Sequence, residues 1–545
     1  MTKTGVDLVQ GRFARQLLHV VALGLTVLLL GRPACGSSAF ATAELAPANA
    51  SFFLEIEAPA SLWKEVEGKP IAVWVERILA TDAVRTSWRG VAERIGSSDR
   101  ALFDALFAER CTLLTRDGDG GPEWAVVLSV DADSALQLLR KLRPRQLAPR
   151  HGVAVMAIPE QDILAAVQGD RCIIAPRSQP ALFDDVLARL SGESSEPGLL
   201  SNERCRALAE SLNAESRPQV SAIIRHARPM GGATALIASV RAGGATVLVE
   251  SDFENPPFSR RLTKLRWDCS KVDAFERHGL VTVVEPTDIG PGSFEFFAQS
   301  LLNRPIISRE MRTNLADTQI LTIGEVEGRT ESPPADMLTP TAAMALRMKD
   351  PLHAEVMLDA HIVELTRSIN SLVQGACLVP LPDAARFEPG GMRHHDLSPV
   401  MNEFGGGFPV MPSISLNWCV AQTPSGSYYV IATHPEQLEE MLAALRRLEE
   451  DGSDVGRWAS CGLAHGPRLS HHLRSLAEQA PRFTDPARPE DAHAFRSTLD
   501  LLALLGDGLD RARWKMERPS RERMRLEVSL ELREPPSAEP PAARP

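Results

Sequence analysis

Apolar and polar residues along the chain follow two periods, which predict strands and helices in turn. Short runs such as Phe52–Glu57 and Leu280–Glu285 have the composition and length of strands. Residues 180–190 and 435–445 carry apolar side chains three or four positions apart, which is typical of a helix with one buried stripe. Paired strands followed by helices favour an α+β fold, in which helices cover an antiparallel sheet.

The same order of elements occurs twice. Residues 162–190 predict strand, turn, strand and helix, and residues 413–445 repeat that order. The two helix stripes share one register, with Leu182, Val186, Leu187 and Leu190 in the first and Leu438, Met441, Leu442 and Leu445 in the second. Each half also opens on a strand and ends in a long hairpin, at 233–252 and at 509–532. We therefore expect two pseudo-repeated modules, at 45–268 and 270–533.

A weaker match relates residues 110–142 to residues 342–373. On this match Asp350–His353 is a hairpin turn and a helix begins near Asp359. The alternative is a single long helix, with Asp350-Pro351 at its start. Beyond both modules, residues 534–545 hold five prolines and predict a disordered tail.

The first segment has the pattern of an export signal. Lys3, Arg12 and Arg15 precede an apolar run at 17–30, which is short for a membrane-spanning helix. Small-x-small sequences for cleavage end at Gly36, Ala41 and Ala43. We favour the last two, although Gly36 lies at a more usual distance from the apolar run. The segment 1–43 is thus predicted to be a signal peptide, with lipidation at Cys35 or an uncleaved inner-membrane anchor at 17–30 as alternatives.

Composition narrows the class of protein. The chain has 545 residues, is 44% hydrophobic and 24% charged, and carries a net charge of −11, which excludes a disordered chain or a multi-pass membrane protein. An acidic chain without a basic stripe is a poor partner for nucleic acid or anionic lipid. We expect no nucleic-acid partner, and contact with a membrane only through the first segment if it is uncleaved. The eight cysteines form no CxxC pair, so at most one or two disulfides are expected.

Familiar catalytic and phosphate-binding motifs are absent from the sequence. The strongest polar group is His394-His395-Asp396, whose imidazoles and carboxylate suit zinc or acid–base chemistry. On a strand, however, His394 and His395 point to opposite faces. In the repeat these residues fall where the first module has Val155-Met156-Ala157, an ordinary strand. We therefore expect neither a metal nor a cofactor.

His226 and His465 occupy matching places near the ends of predicted strands in the two halves. A recurring histidine either marks a paired site or satisfies a strand end. Together with His394, His395 and Asp396, these residues form the candidate catalytic set of an alternative function. That alternative is a hydrolase with its site between the two modules.

An insertion distinguishes the second module. The loop at 399–412 contains Gly405–Gly407 between apolar residues that are costly to expose to water, namely Val400, Met401, Phe404, Phe408, Val410 and Met411. The loop either folds back on its own module or binds a partner. An envelope protein or an apolar ligand is the partner that this chemistry fits.

The stretches Leu45–Ile56 and Leu164–Ala175, together with the export signal, resemble a family of exported bacterial proteins built around a domain of unknown function. The resemblance implies an exported, duplicated α+β protein and carries over no active-site residue. We expect a non-catalytic binding or assembly component that is secreted or resides in the periplasm or cell envelope. A surface or structural envelope protein is a further alternative to the hydrolase.

Overall fold

The computed structural model describes most of the chain. It covers residues 39–73, 98–118, 121–158, 162–213, 218–226, 231–241, 243–256, 269–275, 279–286, 313–327, 338–372, 391–396, 415–424, 426–448, 458–478 and 489–534. Residues 1–38 of the predicted signal peptide 1–43, residues 535–545 of the predicted tail and the loop 399–412 therefore lie outside the described residues. The described part is α+β, as the sequence predicts, and its strand pairings are antiparallel.

The strands are β1 Phe52–Glu57, β2 Arg110–Gly118, β3 Gly121–Ser129, β4 Arg145–Gln146, β5 Val155–Ile158, β6 Ile163–Gln168, β7 Arg171–Pro176, β8 Val220–Arg225, β9 Ala233–Arg241, β10 Gly244–Asp252, β11 Gly279–Glu285, β12 Leu315–Glu327, β13 Leu338–Met348, β14 Arg393–Asp396, β15 Ser415–Thr423, β16 Gly426–Ala432, β17 Ser460–His465, β18 Leu509–Glu517 and β19 Arg523–Leu532.

The α-helices are α1 Pro59–Val66, α2 Asp99–Leu106, α3 Ala132–Lys141, α4 Ala181–Leu190, α5 Glu203–Asn213, α6 Ala354–Leu372, α7 Pro435–Arg447, α8 Gly466–Glu478 and α9 Pro489–Gly508. Short 3₁₀ turns lie at Ala43–Leu45, Leu199–Ser201 and Cys269–Phe275. Each helix in the described ranges is too short or too polar to cross a membrane.

Contacts divide the chain into two compact units. The first unit comprises Met1–Pro256 with Glu522–Pro545, and the second comprises Pro257–Arg521. The strand β19 pairs along its length with β10 and thus belongs to the first unit.

The sheet of the first unit has the order β4-β5-β6-β7-β3-β2-β1-β8-β9-β10-β19. One side, which we call face A, carries Phe53, Leu114 and Ile173 and is covered by α4 and α5. The other side, face B, carries Leu128 and Cys172 and is covered by α3. Strand alternation produces both faces, because successive side chains point to opposite sides.

The predicted hairpin at 233–252 is confirmed as β9 and β10, which pair from Gly244↔Arg241 to Asp252↔Ala233. Gly243 in its turn has φ +81°, a conformation in which a Cβ would be strained. The glycine therefore permits the tight reversal that the sequence predicted.

The sheet of the second unit has the order β14-β15-β16-β13-β12-β11-β17-β18. Its face A, with Ile320 and Val430, is covered by α7 and the turn Cys269–Phe275. Its face B, with Trp418 and Tyr429, is covered by α6. The strands and the helix predicted over 413–445 are confirmed as β15, β16 and α7.

The match of 110–142 to 342–373 is wrong in its details. Asp350–His353 does not join two strands, because α6 begins at Ala354 and continues to Leu372. The preceding turn is held by Asp350, whose Oδ1 accepts a hydrogen bond from the Leu352 N–H at 2.8 Å. The long-helix alternative is therefore correct, and the strand before β13 is β12, at Leu315–Glu327.

The second unit also contains a helical hairpin, α8 and α9, between β17 and β18. The two helices approach closely at Gly466 and Gly506, where a Cβ on Gly466 would lie 2.6 Å from the Gly506 carbonyl oxygen. The Ser470 hydroxyl also donates to Asp507 Oδ1 at 2.6 Å. A backbone approach this close requires glycine.

Six cysteines within the described ranges are buried and form no disulfide, namely Cys111, Cys172, Cys205, Cys269, Cys419 and Cys461. Burial raises the pKa of Cys111 and Cys172 to about 12, so both are protonated thiols at neutral pH. These two cysteines pack as small hydrophobic residues on face B of the first sheet.

Candidate functional site

A polar cluster lies at the edge of the second sheet, where β14 pairs with β15. The register places His394 opposite Asn417, and the His394 Nδ1–H donates to Asn417 Oδ1 at 2.8 Å. The Asn417 amide donates to Ser415 Oγ at 2.8 Å and to the Ala432 carbonyl at 3.4 Å, and these acceptors fix the orientation of the amide. His394 itself is exposed.

The start of α7 contributes to the same cluster. His434 precedes the helix, and its pKa is lowered mainly by burial and further by the nearby His394. One turn on, Gln437 is buried and its Oε1 accepts a hydrogen bond from the Thr341 hydroxyl at 2.9 Å. The lowered pKa favours the neutral imidazole of His434 at pH 7.

The geometry of this cluster restricts its chemistry. A serine nucleophile needs a base within hydrogen-bonding reach, but the Asn417 amide lies between Ser415 and His394. An amide does not relay the proton between them. Among the described residues, no three His, Cys, Asp or Glu side chains lie close enough to hold a metal ion. The cluster therefore serves best to fix β14 onto β15.

The opposite face of β14 carries a buried ion-pair network. The Arg393 side chain is 4% exposed, and its Nε lies 3.1 Å from Asp359 Oδ1 of α6. Its Nη2 donates to Glu355 Oε2 at 3.1 Å, and the Trp418 Nε1–H donates to Asp359 Oδ1 at 2.8 Å. Burial raises the pKa of Asp359, while Trp418 and Arg393 oppose that shift. The network ties the first two turns of α6 to the edge of the sheet.

Three exposed apolar side chains lie close in sequence to the members of this network. Leu352 is 65% exposed, Val356 is 68% exposed and Met392 is 55% exposed. Val356 follows Glu355 and Met392 precedes Arg393, so the Glu355–Arg393 ion pair holds the two segments together. We call Leu352, Val356 and Met392 the α6 patch. Exposed apolar side chains on a fixed support are typical of a binding surface.

A small cavity lies on face A of the second sheet, beneath α7. It measures about 60 Å³ and is lined by Phe275, Thr322, Gln437, Met441 and Arg447, among others. The Arg447 Nη2 donates to the Ala274 carbonyl at 2.8 Å beside it. A pocket for an organic ligand measures roughly 300 Å³ or more. This cavity holds a few water molecules at most.

The remaining histidines predicted from the sequence have local partners. His226 follows β8; its Nε2 lies 2.7 Å from the Thr234 hydroxyl, and its ring stacks on Phe253 at 5.3 Å. Burial lowers the pKa of His226. His465 ends β17, and its Nδ1 lies 3.4 Å from the Arg468 N–H at the start of α8. Each histidine closes the end of a strand within its own unit.

His395 and Asp396 lie on β14 with His394. The backbone of His395 pairs with Leu416 and that of Asp396 with Ser415. Strand alternation places His395 on the face of Arg393, away from Asn417. The predicted group of three therefore does not converge on one side of the sheet.

Asn417, His434 and Arg393 are polar residues of this region that sequence reasoning missed. The sequence signal for them is a polar residue within a short, otherwise apolar strand, such as Asn417 beside Trp418. The six apolar residues of the loop 399–412 lie outside the described residues.

Comparisons with protein families and with curated proteins find no match. Two crystal forms of TP0453, a Treponema pallidum protein, show distant structural similarity. Form IV has 11% sequence identity and a TM-score of 0.23, and the match covers 38% of this chain and 79% of TP0453. Form III has 12% identity and the same TM-score of 0.23, with 41% and 82% covered. A similarity of this size assigns neither a family nor an activity.

Proposed function

We propose that this protein is an exported, non-catalytic binding or assembly component of the periplasm or cell envelope. The observation that carries the proposal is the α6 patch, in which Leu352, Val356 and Met392 are each more than half exposed. Leaving such side chains in water is unfavourable, and burial against a partner recovers roughly 25 cal/mol for each Å² of apolar surface covered. An envelope protein with an apolar surface is the partner that fits.

The support under the patch strengthens the proposal. Arg393 is buried and bound to Glu355 and Asp359, so the patch is held in place before any partner arrives. A fixed surface loses less conformational entropy on binding than a flexible one. The loop 399–412 remains a second proposed contact. The strands on either side of it end in the pair Asp396↔Ser415, so these two residues lie one strand spacing apart.

The local partners of the candidate histidines also favour a binding role. His394 is bound to Asn417 and His226 to Thr234, and each bond orients the ring toward the neighbouring strand. A hydrolase requires a nucleophile and a base that meet at one place. The binding proposal makes no such demand on these residues.

We further propose that the two units derive from one duplicated module. The first sheet contains the order β5-β6-β7-β3-β2-β1-β8-β9, and the second has β14-β15-β16-β13-β12-β11-β17-β18. When the strands of each set are numbered in chain order, both sheets have the order 4-5-6-3-2-1-7-8. The helices α4 and α7 each follow the corresponding strand and cover face A. The shared order supports a common origin.

The α6 patch is tested by co-purification of the tagged full-length chain from its native cell envelope. The triple variant Leu352→Ser, Val356→Ser and Met392→Ser should lose the bound partner by about tenfold or more, because central apolar contacts dominate interfaces. The matched control is Val73→Ser with Phe495→Ser, two exposed apolar residues outside the patch. That control should retain the partner in full.

The loop 399–412 is tested by its deletion in the same assay. A partner retained by both the triple variant and the deletion would refute the binding surfaces proposed here. Zinc in the purified protein, with a hydrolytic activity lost in His394→Ala, would instead favour the hydrolase.

A further inference from the structure

The residues before β1 form part of the core of the first unit. Phe40 is 4% exposed and packs on Phe53, with ring centroids 6.4 Å apart. Ala43 and Ala46 are fully buried in the same cluster. The segment therefore covers face A beside β1, as α4 does further along the sheet.

Polar contacts fix the same segment. The Glu55 carboxylate accepts hydrogen bonds from the Ala41 N–H at 3.2 Å, the Thr42 N–H at 2.7 Å and the Thr42 hydroxyl at 2.5 Å. The Phe40 N–H donates to Ser221 Oγ at 3.1 Å, and the hydroxyls of Thr42 and Thr112 lie 2.7 Å apart. Glu55 is itself buried. Its partners in this region come mainly from the segment that precedes β1.

Further backbone bonds hold the segment to the rest of the unit. The Leu199 N–H donates to the Ala46 carbonyl at 2.9 Å, and the Ala48 N–H donates to the Pro197 carbonyl at 3.2 Å. Hydrogen bonds thus recur along the segment from Phe40 to Ala48. Residues 39–46 are thus held in the folded unit by both apolar packing and hydrogen bonds.

This arrangement bears on where an export signal is removed. Cleavage after Ala43 would remove the donors to Glu55, and a buried carboxylate without partners is strongly destabilising. Cleavage after Ala41 would convert the Thr42 amide to an ammonium, which still reaches Glu55. It would also remove Phe40 and leave its site on Phe53 and Ser221 open. Cleavage after Gly36 removes none of these contacts.

We infer that the export signal is cleaved after Gly36, and that Ala39–Ala46 remain as the N-terminal part of the mature fold. The inference rests on the export proposed above. Hydrolysis of the Gly36–Ser37 peptide bond by water leaves the carboxyl group on Gly36 and the new amino group on Ser37. Ala34 and Gly36 supply the small residues at the third and first positions before the cut. The sequence alone favoured Ala41 or Ala43 instead.

The test is the intact mass and N-terminal peptide of the full-length, C-terminally tagged protein recovered from the envelope. An N-terminus at Ser37 supports the inference. An N-terminus at Thr42 or Glu44, or a lipid on Cys35, overturns it. An uncleaved chain also overturns it and separately counts against removal of a signal, while leaving partner binding to be judged by the α6-patch variants.

A second measurement uses Phe40→Ala in the same full-length precursor. If residue 40 stays in the mature protein, its loss opens a cavity and should lower the Tm of the first unit by about 10 °C. Phe40→Leu should retain most of the Tm, because it fills most of the site. The control Phe495→Ala, at an exposed position, should leave the Tm unchanged. If the mature Phe40→Ala protein has the same Tm as the wild type, residue 40 has been removed and the inference is overturned.

Discussion

The two sheets share an order of strands but place their buried charges on opposite faces. In the first unit, Arg116 of β2 binds Glu123 of β3 at 2.7 Å and Asp185 of α4, the helix on face A. In the second unit, Arg393 of β14 binds Asp359 and Glu355 of α6, the helix on face B. The first sheet is thus tied to the helix on face A and the second to the helix on face B.

The difference shows which features the fold requires. Both faces of both sheets are packed with apolar side chains, since strand alternation and helix stripes recur in each unit. The ion pairs differ in place, so the strand order does not depend on them. A buried ion pair stabilises little by comparison with apolar packing, but removing one partner is costly. The charges therefore anchor particular helices within a fold that burial determines.

The largest expected effect follows from removing the Arg393 ion pairs in the second unit. Arg393→Ala should lower the free energy of unfolding of that unit by about 3–5 kcal/mol, because Asp359 is left buried without its cation. Hydrogen exchange of the amides in α6 and β14, with urea unfolding of the full chain, measures this loss.

Arg116→Ala is the matched variant in the first unit. Its partners Glu123 and Asp185 are 13% and 37% exposed, close to the 10% and 32% of Asp359 and Glu355, so we expect a loss of similar size, about 3–5 kcal/mol, confined to α4 and β3. Faster exchange in α6 from Arg116→Ala, or in α4 from Arg393→Ala, would contradict the comparison. So would an Arg393→Ala protein whose α6 amides exchange as slowly as those of the wild type.

The next effect depends on pH and concerns two buried groups of the second unit. Burial raises the pKa of Glu285 to about 7, against the hydrogen bond from Gln319. Between pH 4.5 and 7 the folded chain holds a proton that the unfolded chain has released. Stability should therefore fall by about 3 kcal/mol as the pH rises through this window.

His361 of α6 acts in the opposite direction. Burial lowers the pKa of His361 to about 4, with Glu364 opposing the shift. Between pH 6.5 and 4 the unfolded chain binds a proton at His361 that the folded chain does not bind. Stability should therefore fall by about 3 kcal/mol as the pH falls through this window. The two slopes cancel over most of this range, and the pH profile of the wild type should be shallow.

Single substitutions separate these slopes. Glu285→Gln keeps an oxygen for the Gln319 amide and should leave stability rising with pH, above the wild type at pH 8. His361→Leu should leave stability falling with pH. Urea midpoints between pH 4 and 8 measure both, with the exposed Glu439→Gln as a control that keeps the wild-type profile. Parallel profiles in the two variants would rule out the assigned shifts.

Much of the fold follows from local patterns in the sequence. The helix stripe at Leu438 and Leu442 and the hairpin around Gly243 each depend on neighbours a few residues apart, and both appear as predicted. The prediction for the segment after β13 is wrong because it aligns the two halves one strand out of register. Ala354–Leu372 has an ordinary helical composition, which predicts the helix correctly without reference to the repeat. Local periodicity was the better guide.

The polar cluster could not be predicted, since its contacts join distant residues. Asn417 lies within an otherwise apolar run, and nothing near it in sequence shows that His394 pairs with it across β14 and β15. The donors to Glu55 were also hidden, because Ala41 and Thr42 had been assigned to a signal peptide. In both cases the strand register, which sequence pattern leaves open, brings the partners together.

The smallest expected effect compares how helices begin in the two units. Ser98 accepts a hydrogen bond from the Ala101 N–H at 3.1 Å and caps α2, whereas α7 begins after His434 with Pro435 and has no capping bond from a side chain. Ser98→Ala should cost about 1 kcal/mol and speed exchange in the first turn of α2, since one free amide loses its acceptor. His434→Ala removes no cap and should leave the first turn of α7 unchanged. If it frays α7 as much as Ser98→Ala frays α2, then His434 stabilises its helix through the polar cluster with His394, and the two helix starts are equivalent after all.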